Sequence, residues 1–317
     1  MGELEFIGIA GLVVLFILLA LRMPVGLTML VVGIGGTYIL SLEASFIRFG
    51  PYMKQFKSLL WGNMANYDLS VVPLFVLMGF LASQANLSRD LFRGMAALMG
   101  RFRGGLAMSA IGACAGFGAV CGSSLATAST MGRVALPELD KLDYSPRLST
   151  GALAAGGTLG ILIPPSVNLL LYGSLANVSV GQLFIAGVVP GLVMTGLFSL
   201  YIALAHGKAG ANSETVDVPL GEKLRLLRHL VPPLVIFLVV MGGIYGGLAT
   251  PTESAALGVM VALGFVVASG RLTGEVLLHC FRQSAKTTGM VVLVIVCALL
   301  LNVTLSMLGT AQAGTRW

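Results

Sequence analysis

Two short stretches of this chain set polar atoms among apolar ones. The first runs Gly116-Phe-Gly-Ala-Val-Cys-Gly-Ser-Ser-Leu-Ala-Thr-Ala-Ser-Thr130 and crowds Ser123, Ser124 and Thr127 beside a glycine. The second runs Ala154-Ala-Gly-Gly-Thr-Leu-Gly-Ile-Leu-Ile-Pro-Pro-Ser-Val-Asn168. It places Gly157 and Thr158 before Pro164 and Pro165, and Ser166 and Asn168 after them. Two consecutive prolines donate no N–H and clash with the preceding turn, so a helix unwinds there. A turn or an unwound segment frees backbone carbonyls. Together with hydroxyls these are hard, neutral oxygen donors suited to a partly dehydrated alkali cation, and a helix that restarts beside them turns its positive dipole end toward an anion. Small residues alone point as readily to a tight helix crossing, and prolines alone to a kink. Two interrupted segments next to one another are the pattern of a transporter site.

Other chemistry finds little support. His206, His229 and His279 fall in loops or at the ends of apolar runs. Neither an HExxH, a GxSxG nor a Walker A pattern occurs, and no paired carboxylate lies within an apolar stretch, which argues against an enzyme or an ATP-driven pump. Glu253 follows Pro251-Thr252 and reads as a helix-start carboxylate, favoured by the dipole. Arg133 lies inside the first broken segment, placed either to snorkel to the interface or to face solute charge. Cys114, Cys121, Cys280 and Cys297 form no CxxC pair, so the sequence implies neither a zinc site nor a disulfide framework.

These stretches need supporting elements that live in lipid. Of 317 residues, 56% are hydrophobic and 10% charged, with a mean hydropathy of +0.94. A soluble domain carries about 25% charged residues, so this chain has too few to cover a water-exposed surface. The net charge of +6 is scattered between apolar runs without interleaved aromatics. That distribution fits loops facing anionic lipid and argues against nucleic acid.

Apolar segments run 6–21, 24–42, 69–85, 106–136, 148–176, 183–205, 230–248, 255–268 and 288–308. About 20 residues cross a bilayer. The expected fold is an all-α membrane protein, a polytopic helical bundle containing a re-entrant hairpin (105–137) and a broken helix (148–176). With the hairpin returning to the side it entered, most of the 19 basic residues fall on one side, read as cytoplasmic. Residues 86–102, 220–230 and 272–281 read as amphipathic helices lying along the interface.

The chain resembles the large membrane (M) subunit of the tripartite ATP-independent periplasmic (TRAP) transporters. The matching stretches are Pro73-Leu-Phe-Val-Leu-Met-Gly79, Arg103-Gly-Gly-Leu-Ala107, Gly122-Ser-Ser-Leu-Ala-Thr127, Gly156-Gly-Thr-Leu-Gly-Ile-Leu-Ile-Pro-Pro-Ser166, Leu183-Phe-Ile-Ala-Gly-Val-Val-Pro-Gly191 and Thr250-Pro-Thr-Glu-Ser-Ala-Ala256. They occur in family order along nearly the whole chain. The resemblance implies an elevator-type carrier in a bacterial inner membrane, driven by Na+ as coupling ion and without an organic cofactor. It implies three partners: a small (Q) membrane subunit, a periplasmic substrate-binding protein and an organic acid such as a C4-dicarboxylate. Carried over by position, it assigns Ser123, Ser124, Thr127, Gly157, Thr158 and Ser166 to sodium, and Ser124, Pro164, Pro165 and Asn168 to the solute. The implied organisation is N-terminal scaffold spans (1–85), a first transport repeat (86–205), and a cytoplasmic linker with the start of a second repeat (206–317). Members of the family run longer, with a second hairpin and a second unwound helix. The expectation is therefore that the second repeat is incomplete and that the 317-residue chain does not transport unaided. The alternative is a non-transporting remnant or scaffold subunit.

Overall fold

Within a bilayer every backbone polar group must find its partner inside its own segment, which leaves helices as the form these apolar runs can take. The computed structural model describes residues 3–43, 49–64, 67–102, 104–176, 178–206 and 225–308. They form thirteen α-helices: α1 (Glu3–Ala20), α2 (Val25–Glu43), α3 (Phe49–Met64), α4 (Val71–Gln84), α5 (Leu87–Met99), α6 (Gly105–Cys121), α7 (Ser124–Lys141), α8 (Pro146–Leu162), α9 (Val167–Ala176), α10 (Val180–His206), α11 (Val231–Tyr245), α12 (Pro251–Ala268) and α13 (Gly274–Met307). No strand occurs among the described residues. Six spans are long and apolar enough to cross a membrane, or seven if the bent pair α4–α5 is one of them. The chain is a polytopic all-α membrane protein.

The chain packs as two units: residues 1–67 with 286–317, and residues 68–285. In the first, Leu15, Val32 and Leu301 make a small apolar core. Beside it lies a buried hydroxyl cluster. Thr37 and Thr304 both donate to the Gly33 carbonyl, at 2.9 and 3.0 Å. Their hydroxyls stand 3.0 Å apart, and the Tyr52 hydroxyl reaches Thr304 at 3.1 Å. The cluster ties α2, α3 and α13 together where no water is available to replace a lost bond.

In the second unit α8 is the central element. Its glycine face receives α6 on one side and α7 on the other. Along α6, Cys114 meets Gly156, Gly118 meets Gly160 and Gly122 meets residues 165–167, so α6 runs parallel to α8. Along α7, Ser123 and Thr127 meet Gly160 while Ala128 meets Gly157, so α7 runs the opposite way. Residues 105–141 are therefore a helical hairpin with antiparallel arms, and its two ends lie on one side. Ile111, Met131, Leu139 and Leu159 are fully buried in its core. Phe75 of α4 and Phe184 of α10 meet edge to face at 6.4 Å. Val189, Leu192, Leu197 and Leu204 of α10 and Leu234 and Leu238 of α11 are exposed, as lipid-facing residues are. At α12, Thr250 and Glu253 form a capping box: the Glu253 carboxylate accepts from the Thr250 N–H at 2.8 Å. That is the helix-start role expected for Glu253.

Several local features differ from the sequence reading. The second hairpin arm passes through Pro137 and continues to Lys141, because buried Leu139 anchors its last turns. Residues 272–281 do not make a separate interfacial helix. They run into the following apolar span as one 34-residue helix, α13. Residues 86–102 do yield α5, bent 68° from α4. Helix α3 was not anticipated. Its Lys54 and Lys57 dilute the hydropathy of a helix whose Tyr52 is buried. Residues 220–224 of the expected 220–230 helix lie outside the described residues.

Candidate functional site

The hairpin tip and the broken helix meet. Gly122 closes the tip in the left-handed region (φ +62°), and a Cβ there would lie 2.8 Å from the Pro165 carbonyl oxygen. Its own carbonyl accepts from the Val167 N–H at 3.3 Å, the first residue after the break. The two interruptions are thus joined backbone to backbone.

Prolines explain the geometry of the break. In an unbroken helix Pro164 and Pro165 would donate to the carbonyls of Gly160 and Ile161, and neither has an N–H. The Ser166 hydroxyl takes over one of these duties, donating to the Ile161 carbonyl at 2.6 Å. The Gly160 carbonyl is left without the bond a helix would give it. A Cβ on Gly160 would stand 2.7 Å from the Thr127 hydroxyl and 2.8 Å from the Ser123 carbonyl, so both oxygens lie over the same bare stretch of backbone.

The predicted residues divide into two groups. Thr127, Ser166, Pro164, Pro165 and Gly157 are buried, and Ser123 and Ser124 half-buried, at the tip-to-break contact. Ser123 caps α7, its hydroxyl accepting from the Ala126 N–H at 3.4 Å. Gly157 packs on Ala128, and a Cβ there would lie 3.4 Å from the Ser124 carbonyl. Thr158 and Asn168 are exposed and stand apart from this contact. The Thr158 hydroxyl donates to Ala155 of its own helix at 2.6 Å. One position along a helix is about 100°, which turns Thr158 away when Gly157 faces the hairpin.

Sequence reading missed the participation of Cys121 and the pairing of the glycines. The Cys121 thiol lies 3.1 Å from the Thr127 hydroxyl. A Cβ on Gly118 would come 2.6 Å from the Gly160 Cα. The signal was present: Gly118-x-x-x-Gly122 and Gly156-x-x-x-Gly160 each carry the small-residue spacing that lets helix backbones touch.

The chain matches the family model described as "Tripartite ATP-independent periplasmic transporter, DctM component" over residues 12–317. The chain belongs to this family. It is similar to the C4-dicarboxylate TRAP transporter large permease DctM of Pseudomonas aeruginosa, 36% identical over 76% of this chain and 56% of that protein. It is also similar to the ectoine TRAP transporter large permease TeaC of Halomonas elongata, 32% identical over 80% of this chain and 59% of that protein. A third relative is the sialic acid TRAP transporter large permease SiaM of Vibrio cholerae, 29% identical over 88% of this chain and 63% of that protein. The chain spans less than two thirds of the length of each of these relatives. All three are transporter permeases rather than enzymes, as the lack of catalytic motifs led one to expect.

Proposed function

We propose that this chain is the carrier part of a sodium-coupled importer of an organic acid in a bacterial inner membrane. The observation that supports it most is the joined tip and break, where the Ser123 carbonyl and the Thr127 hydroxyl face the bare backbone of Gly160. In this reading Ser123, Ser124, Thr127, Gly157, Thr158 and Ser166 hold sodium, and Ser124, Pro164, Pro165 and Asn168 contact the solute. Thr158 and Asn168 serve from the open side of the break. The first turn of α7 has N–H groups without helical acceptors, which suits a carboxylate. The relatives named above are TRAP permeases for C4-dicarboxylate, ectoine and sialic acid, and each of these solutes bears a carboxylate.

The organisation proposed with it is scaffold spans at 1–85, a first transport repeat at 86–205, and a linker with the start of a second repeat at 206–317. The partners are a small (Q) membrane subunit and a periplasmic substrate-binding protein, which hands over the organic acid.

The test is uptake of labelled succinate, ectoine and sialic acid by a complete transporter carrying this sequence, with and without sodium. A lost hydroxyl ligand is worth about 1 kcal/mol, partly recovered by water, so Thr127→Val should raise the half-saturating sodium concentration about fivefold. Unchanged sodium dependence in the Thr127→Val, Ser166→Ala double variant would remove the sodium assignment. Uptake of none of the three acids would remove the solute class.

A further inference from the structure

A second concavity lies away from the tip and the break. It is a groove of about 590 Å³ between α5 and α7, near the open end of the hairpin. Arg89 and Arg93 border it from successive turns of α5, and Arg133 and Lys141 from α7. All four are exposed. Among the described residues the ion pairs are Lys141 with Glu138 at 2.9 Å and His229 with Asp90 at 3.1 Å. Among the described residues the three arginines therefore have no carboxylate partner, and the described lining carries an excess of positive charge. Its floor is apolar, with Phe92 and Leu106 buried there.

We propose that this groove binds the headgroup of an anionic phospholipid, with the arginines on the phosphate and an acyl chain on the apolar floor. Three observations point to lipid rather than to a free anion. The site pairs a cationic rim with an apolar floor, and a free phosphate has no use for the floor. Helix α5 is amphipathic and bends 68° from the α4 span, so it leaves the spanning direction at the groove. The rim stands at the end of the hairpin where basic residues concentrate, the end expected to face the anionic leaflet. Arginine suits this duty because its planar fork holds phosphate oxygens in pairs. The inference does not depend on which solute or coupling ion the protein uses.

The experiment is native mass spectrometry of the purified full chain in detergent, titrated with short-chain phosphatidylglycerol or phosphatidylcholine, with inorganic phosphate as competitor. Phosphatidylglycerol is expected to bind with clear preference and to resist displacement by millimolar phosphate. The paired change Arg93→Gln, Arg133→Gln should weaken it about 30-fold, from roughly fivefold per basic residue near an anionic headgroup. Arg93→Lys with Arg133→Lys should restore most of the loss. Glu138→Gln, which frees Lys141, should tighten binding, and Arg271→Gln with Arg282→Gln, outside the groove, should leave it unchanged. The proposal fails if the glutamine pair binds like the parent, or if the outside pair weakens binding equally. Full displacement by phosphate would also overturn it, assigning the groove to a free anion.

Discussion

The Ser166 hydroxyl donates at 2.6 Å to the Ile161 carbonyl, the acceptor that Pro165 would have served in an unbroken helix. A side chain thus completes the hydrogen bonding of a backbone that two prolines opened. Ser166 is buried at the break. Without its hydroxyl the Ile161 carbonyl would be left unsatisfied, at a cost of about 1–3 kcal/mol. Ser166→Ala should accordingly lower the thermal midpoint of the purified protein. Thr158→Ala, which removes an exposed hydroxyl bonded within its own helix, should change stability by less than about 0.5 kcal/mol. Equal midpoints for the two variants would show that Ser166 does not hold the break.

Gly160→Ala tests the tip-to-break seam. Its methyl group would stand 2.7 Å from the Thr127 hydroxyl and 2.8 Å from the Ser123 carbonyl, and the second of these is backbone that cannot turn aside. Overpacking of this kind costs about 1–3 kcal/mol. Gly151 lies in the same helix with nothing within 4 Å of a Cβ, so Gly151→Ala should be neutral or stabilising, by up to about 1 kcal/mol. A thermal-shift comparison of the two alanine variants decides it, and the order of their midpoints is the readout.

The hydroxyl cluster of the other unit makes a separate prediction. Thr304 is the member that touches both Thr37 and Tyr52. Thr304→Val keeps the shape and removes the hydroxyl that both of them approach, along with its own bond to the Gly33 carbonyl, for a loss of about 0.5–1.5 kcal/mol. Tyr52→Phe removes one end of the chain of bonds and should cost less. Combining the two should cost less than the sum of the singles, because the bond between them is lost only once.

Hairpin sidedness is open to labelling. The arms run antiparallel, so cysteines placed at exposed Phe102 and Asp140 should react with an impermeant maleimide from the same side of the membrane. The four native cysteines are buried and give little background. Labelling from opposite sides would contradict the hairpin.

Much of this architecture was legible in the sequence, for identifiable reasons. Uninterrupted hydropathy fixes spans such as α2, α10 and α12 nearly to their ends. Pro164-Pro165 marks a break that the helix backbone alone cannot close. Hydropathy fails where a helix is partly polar: α3 carries Lys54 and Lys57, and the first turns of α13 carry His279 and Arg282. A scan reads such stretches as loops or as separate interfacial helices, although nothing in α13 interrupts its backbone. Within the site, residue types named the chemistry but not its direction. Gly157 and Thr158 are neighbours in sequence, yet one faces the hairpin and the other faces out. That choice rests on where glycines allow α6 and α7 to approach, which is a property of three helices together.

Neither interrupted stretch, 116–130 or 154–168, contains an Asp, Glu, His, Lys or Arg. If these are the walls that meet the cargo, the protein brings no carboxylate, imidazole or cationic side chain of its own to the exchange. Electrical current through such a carrier then counts only the passengers. Net charge moved per solute molecule, once the solute's own charge is subtracted, would give the number of accompanying cations, and a change in external acidity would act through the titration of the solute rather than through a carboxylate or imidazole of the walls.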